Sequence, residues 1–283
     1  MANLDEGFIE AEEGVQLYFR VIGRGEGVLI PLVSWTEEFD VLAKGRRLIF
    51  YDPRSRGQST AVERERISFQ NDLHDLEAVR KHFALEKMSL IGWSYFGGVV
   101  GRYAMEFPER VERFVMVCGP PIRRLPHSDT INQIMAGRIN AVAPGFLEEL
   151  QATSSPEPEK LRRLWDLMKQ VRSGRNGLRP MRGDPSRHAN EQPENIFAVF
   201  RRGIETQGDW DWREDARRAT SPALFVAGDA DFLPFEAARE WSEYLPNAQV
   251  FKMSGVGHFP SLEDPDLFFR TVENFLRGHW PVV

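Results

Sequence analysis

Cysteine is nearly missing from this chain of 283 residues, in which Cys118 is the single example. A lone cysteine cannot close an internal disulfide, and by itself it cannot build a thiolate metal site. Its neighbours Phe114-Val115-Met116-Val117 make it a buried thiol at the end of an apolar run. Long hydrophobic stretches are lacking as well. No segment approaches the ~18 apolar residues that span a bilayer. A secretory start is also missing, since Asp5, Glu6, Glu10, Glu12 and Glu13 crowd the positions where such a signal is basic and then apolar. These absences predict a soluble cytoplasmic protein with no membrane partner. There is no excess of positive charge: 36 Lys and Arg against 42 Asp and Glu leave a net charge of −6. A phosphate backbone is repelled on average, which argues against nucleic acid as a partner.

What is present is ordinary globular material, 42% hydrophobic and 28% charged. A chain of this mass buries about three quarters of its unfolded surface, so neither disulfide nor metal is needed as a staple. Val15, Leu17, Phe19 and Val21 alternate with Gln16, Tyr18 and Arg20, a half-buried strand forming a hairpin with Gly7–Ala11. Short, almost purely apolar runs follow at Val28–Val33, Leu48–Tyr51, Met88–Ile91, Phe114–Val117 and Ala223–Ala227. Runs apolar on both faces are parallel strands covered by helices on each side. Helical patterns separate them. Ser68 caps a helix bearing Phe69, Leu73, Leu76, Val79 and Phe83, and others run over Tyr95–Phe107, Phe235–Leu245 and Asp266–Leu276. This alternation predicts an α/β fold with a mainly parallel sheet.

The alternation lapses between Pro120 and Asp215, where four helical patterns appear without a strand. This predicts a core of residues 1–120 and 216–283 with a helical insertion, 121–215, on the sheet. Within it, Lys160–His188 carries nine Lys or Arg, and Glu191–Asp215 carries seven acids. The two blocks could pair with each other, form two solvated faces, or offer a basic rim that steers anionic substrates.

Chemistry concentrates in three places. In Leu90-Ile91-Gly92-Trp93-Ser94-Tyr95-Phe96-Gly97-Gly98 an apolar strand ends, Ser94 sits on the turn, and a helix begins at once. That turn lifts the hydroxyl to the carboxyl edge of the sheet, against the unpaired N–H groups of a helix start. A serine needs a base, and the base needs an orienting group. Of six histidines, His258 alone sits in a glycine loop between a strand and the last helix, Ser254-Gly255-Val256-Gly257-His258-Phe259-Pro260. His74 and His82 fall on a polar helix side, His127 and His188 in polar loops, and His279 near the C-terminus. The acid comes from Gly228-Asp229-Ala230-Asp231: one aspartate reaches the imidazole and the other braces the turn.

Elbow, acid turn and histidine loop, in that order, resemble the α/β-hydrolase superfamily, in its proline-iminopeptidase-like and esterase-like serine hydrolase branch. Phe96 departs from the G-x-S-x-G pattern, with Gly97 one place later. Tyr51-Asp52-Pro53-Arg54-Ser55-Arg56-Gly57-Gln58-Ser59 resembles the family's D-x-R-G-x-G-x-S loop. Pro31-Leu32-Val33-Ser34-Trp35 stands where His-Gly and an oxyanion residue are usual. The resemblance implies an α/β-hydrolase fold whose inserted helices form a cap. It implies a triad of Ser94, Asp231 and His258, with Asp229 in reserve, and oxyanion N–H groups from Tyr95 and Ser34. It requires no cofactor and no metal.

Cleavage of a small carboxylic ester is the first expectation. A proline-iminopeptidase-like aminopeptidase is the alternative, with Glu191 and Glu194 holding a substrate amine. C–C bond hydrolysis by the same triad and a non-catalytic ligand receptor are further readings. Trp35, Trp93 and Tyr95 flank the elbow, either as an apolar or aromatic acyl pocket or as ordinary core packing. The partner is then a small-molecule ester or amide, and no feature sets an oligomeric state.

Overall fold

The computed structural model describes residues 5–152, 158–175, 177–182 and 193–282. The strands are β1 (Asp5–Glu12), β2 (Val15–Gly23), β3 (Glu26–Pro31), β4 (Arg46–Tyr51), β5 (Met88–Trp93), β6 (Val111–Val117), β7 (Ala223–Gly228) and β8 (Ala248–Met253). They form one sheet in the order β1-β2-β4-β3-β5-β6-β7-β8. β1 and β2 pair antiparallel, as do β2 and β4, and every later pairing is parallel. The protein is therefore an α/β-hydrolase-like α/β fold, with a mainly parallel sheet between helices.

The apolar runs explain this layering. Leu29, Ile49, Leu90, Phe114 and Phe225 join a core under the helices Phe69–His82, Tyr95–Glu106 and Phe235–Tyr244. Ile30, Phe50, Ile91, Val115 and Val226 face the other way, under the helix Pro265–Leu276. Burying a strand on both faces removes its apolar side chains from water twice over, which is why alternation disappears there. β2 departs from its expected half-burial. Tyr18 and Ile22 on its second face are buried too, because that face packs in the second core near Val33 and Phe39. Ser68 does cap its helix, accepting from the Asn71 N–H at 3.1 Å.

Between β6 and β7 lie the helices His127–Val142, Phe146–Gln151, Pro158–Arg172, Pro193–Glu205 and Arg213–Ala216, with no strand among the described residues. Ile139, Ala143, Phe146 and Val171 give them a small core of their own. His127 was expected in a loop. It starts a helix instead, with Nε2 2.6 Å from the Glu240 carboxylate. His188 lies outside the described residues. The two charge blocks do not pair with each other among the described residues. Basic side chains of the first block meet Glu149, Asp166, Glu38 and Asp40, while the acids of the second meet local arginines and Arg64, Arg102 and Arg124. No described helix is long and apolar enough to cross a membrane.

One ionic cluster under the sheet carries a pH signature. Burial raises the Glu77 carboxyl, but hydrogen bonds from Arg80 and Tyr103, with Arg110 beside them, outweigh it and bring the group down to about 2. A carboxyl depressed in the fold stabilises above its unfolded pKa of 4.5 and loses that contribution as pH falls toward 2. Glu77→Gln is therefore expected to lower the melting temperature at neutral pH, with the gap to wild type closing as pH falls through this window. A gap that stays constant from neutral to acid pH rules out the linkage.

Candidate active site

β5 delivers Ser94. It follows Trp93 at the strand end with φ +53° and opens the helix Tyr95–Glu106. Its N–H donates to the Val117 carbonyl of β6 at 2.8 Å, which pins the turn to the neighbouring strand. A left-handed φ on a non-glycine residue is a strained conformation held by its surroundings. Gly92 is required by the close approach of strand and helix, for a Cβ there meets the Phe96 carbonyl oxygen at 2.2 Å. The unusual Phe96 is accommodated because its ring points into the core, edge-on to Tyr95 and Phe200. The tight helix–sheet contact falls at Gly97 instead, where a Cβ meets Met116 at 2.8 Å.

The loop after β8 brings His258 in fully buried. Its Nε2 lies 2.9 Å from Ser94 Oγ, and its Nδ1 lies 3.0 Å from each oxygen of Asp231. With the Nδ1 proton donated to Asp231, Nε2 keeps a lone pair and accepts from the serine hydroxyl. Asp231 Oδ1 also accepts from the Phe232 N–H at 2.6 Å, which sets the carboxylate plane. Asp229 points elsewhere. Its Oδ1 takes the Gly255 N–H at 2.7 Å and so braces the histidine loop from outside. Ser94, by contrast, is partly open and lines a cavity.

The two N–H groups expected to receive an oxyanion both sit at helix starts. Tyr95 is the first residue of its helix, where the ladder supplies no acceptor. Burial and Asp72 push its phenol well above the usual range, and it donates to Asp72 at 2.6 Å. Ser34 is the second residue of the short 3₁₀ helix Val33–Trp35, whose first residue, Val33, was expected to end the strand. The Val33 N–H is already taken by Asp52 at 2.9 Å, and Ser34 is the next along. The Asp52 loop thus does more than turn the chain. Burial pushes the Asp52 carboxyl up to about 6, against the pull of the Val33 and Gln58 N–H groups. Gly57 is needed beside it, since a Cβ at its φ of +50° falls 1.9 Å from that carboxylate.

Two cavities meet at the elbow. One, of about 610 Å³, is lined by Ser34, Trp35, Trp93, Trp165 and Phe259 among others. The second, of about 340 Å³, is lined by Ser94, Tyr95, Phe197, Trp210 and Phe232 among others. Trp93 belongs to both, and its Nε1 donates to the His258 carbonyl at 2.7 Å. Trp35 packs edge-on against it at 5.3 Å. Glu191 lies outside the described residues, and of Glu194 only the helical backbone is described.

Several supporting residues carried no signal in the sequence. Glu263 accepts from the N–H groups of Gly174, Gly257 and Phe259, at 2.6, 2.8 and 3.1 Å, tying the insertion to the histidine loop. Arg138 donates to the carbonyls of Val171, Ala230 and Asp231 at 2.9–3.0 Å. Cys118 directly follows β6, with its sulfur, an Asp231 oxygen and a His258 ring nitrogen all within 4.8 Å of one another. Burial and Asp231 push its thiol well above the usual range, so it stays a protonated thiol at neutral pH.

The sequence profile of the α/β-hydrolase fold matches residues 26–265. The chain belongs to that family. A pimeloyl-[acyl-carrier protein] methyl ester esterase of Yersinia enterocolitica is 25% identical over 270 residues, 93% of this chain and 98% of that protein. A proline iminopeptidase of Thermoplasma volcanium is 22% identical, over 98% of each chain. The crystal structure of proline iminopeptidase from Mycobacterium smegmatis superposes with a TM-score of 0.75 at 19% identity, covering 97% of this chain and 98% of that one. Esterases and peptidases of this family are hydrolases, and so is this enzyme.

Proposed function

We propose that the enzyme is a serine hydrolase that cleaves a carboxylic ester through an acyl-enzyme, with residues 121–215 as a cap over the site. The observation that carries this reading is the 2.9 Å contact between Ser94 Oγ and the lone-pair nitrogen of a buried, aspartate-held imidazole. Ser94 Oγ attacks the ester carbonyl carbon while His258 Nε2 takes the hydroxyl proton. The N–H groups of Tyr95 and Ser34 receive the negative oxygen. The C–O bond then breaks, and His258 returns its proton to the departing alkoxide, leaving an acyl group on Ser94. Water repeats the cycle with His258 again as base, releasing the acid. The imidazolium formed at each attack is stabilised by Asp231.

The aminopeptidase alternative draws support from the iminopeptidase relative. It needs a carboxylate for the substrate amine, and the two expected to supply it, Glu191 and the Glu194 side chain, lie outside the described residues. Ester cleavage is the reading tested first.

A p-nitrophenyl ester series run beside proline p-nitroanilide tests it, with a fluorophosphonate as covalent label. Ester turnover, labelling at Ser94 and indifference to EDTA are expected. Faster release from the proline anilide favours the aminopeptidase. Absence of both turnover and labelling returns the protein to the receptor reading.

A further inference from the structure

We propose that Arg172 is an anion anchor, so that the ester processed at Ser94 carries a free carboxylate elsewhere in its acyl or alcohol part; this rests on the esterase reading above. Five basic residues line the two cavities: Arg56, Arg124, Lys169, Arg172 and Arg179. Four of them have carboxylate partners, respectively Asp72, Asp209, Asp166 and Glu38. Arg172 alone has none among the described residues, and its Nε is closed off from solvent without a hydrogen-bond partner. It is also the one basic residue that lines both cavities.

Its position is set by the catalytic loops. The Arg172 carbonyl accepts the His258 N–H at 2.8 Å. Its guanidinium lies 5.1 Å from the centre of the Phe232 ring, and that ring lies 4.7 Å from the His258 imidazole. The carboxylate that acts on it, Asp231, is already committed to Nδ1 of His258. Desolvation lowers the group to about 10, which still leaves it charged at neutral pH. An unpaired, poorly hydrated cation is costly to hold in a fold. A ligand carboxylate relieves that cost. The planar guanidinium offers paired donors that match a carboxylate in two-point geometry. The surrounding walls are apolar, with Trp93, Trp165, Ile196 and Phe200 shared by both cavities. They suit an aliphatic chain between the scissile ester and the distant charge. Of the described cations in the basic block, Lys169, Arg172 and Arg179 line a cavity, and Arg172 alone lines both.

The test compares monomethyl esters of linear dicarboxylic acids, four to eight carbons long, with the same esters bearing a terminal amide in place of the acid. Turnover is followed by methanol release. Binding of both series to Ser94→Ala is measured by calorimetry, which needs no catalysis. At the preferred chain length the acid is expected to exceed its amide by about 10- to 100-fold in kcat/KM, the scale of a charge-assisted pair. A similar ratio is expected in affinity. Arg172→Gln should bring both ratios near one, and Arg172→Lys should keep part of the preference. Turnover with no preference for the acid in wild type at any length overturns the anchor and leaves the esterase reading in place. A binding preference without any turnover does the reverse.

Discussion

Ser94→Ala is expected to lower ester turnover by on the order of 10⁴-fold or more while the melting temperature stays close to wild type. The substitution deletes one partly open hydroxyl and its bond to His258 Nε2. It keeps the Cβ, so the backbone at φ +53° meets no new clash, and the Ser94 N–H still donates to Val117. Water activated by His258 cannot replace a nucleophile held at 2.9 Å, because the gain lies in having the attacking oxygen already placed. The fluorophosphonate label should vanish with the hydroxyl. Activity above a few per cent in contamination-free protein would remove Ser94 from the mechanism.

The second large effect separates two aspartates only two residues apart. Asp231→Asn is expected to cost about 10⁴-fold in turnover, the scale of an amide that imposes the wrong imidazole tautomer. Both oxygens of Asp231 face Nδ1 at 3.0 Å, and one of them also holds the Phe232 N–H. In the variant the amide oxygen takes that N–H, and the NH₂ faces Nδ1, which must then be the acceptor. Nε2 becomes a donor and can no longer take the serine proton. Asp229→Asn keeps an oxygen for the Gly255 N–H and loses only charge, beside Lys252 at 3.8 Å. Its expected cost is about 1 kcal/mol of stability with little change in turnover. Turnover and melting temperature for the two variants decide the matter. A dead Asp229→Asn with an active Asp231→Asn would reverse the two roles.

Much of the architecture was legible because parallel strands leave a local mark. Runs such as Leu48–Tyr51 and Ala223–Ala227 are apolar without alternation, and β4 and β7 contain them. The boundaries that shifted were those set by distant partners. Val33 reads as strand, yet Asp52 captures its N–H and the chain coils into a 3₁₀ turn. Tyr18 reads as solvent-facing, yet a second layer covers it. His127 reads as loop, and a carboxylate from the helix Phe235–Tyr244, 113 positions away, faces its ring.

The sequence by itself determined the order of strand, elbow, acid turn and histidine loop, and the family to which that order belongs. Those signals are carried by neighbours within a few residues: periodicity, glycines and turn chemistry. Only the tertiary structure decided which aspartate faces His258, which N–H Asp52 captures beside the elbow, and which arginine of the basic block lines both cavities with no carboxylate partner among the described residues. Such choices depend on backbone torsions in turns and on partners more than a hundred residues apart, such as His258 and Ser94, 164 positions from each other. No local pattern encodes the direction of a side chain whose neighbours are assembled only when the chain has folded.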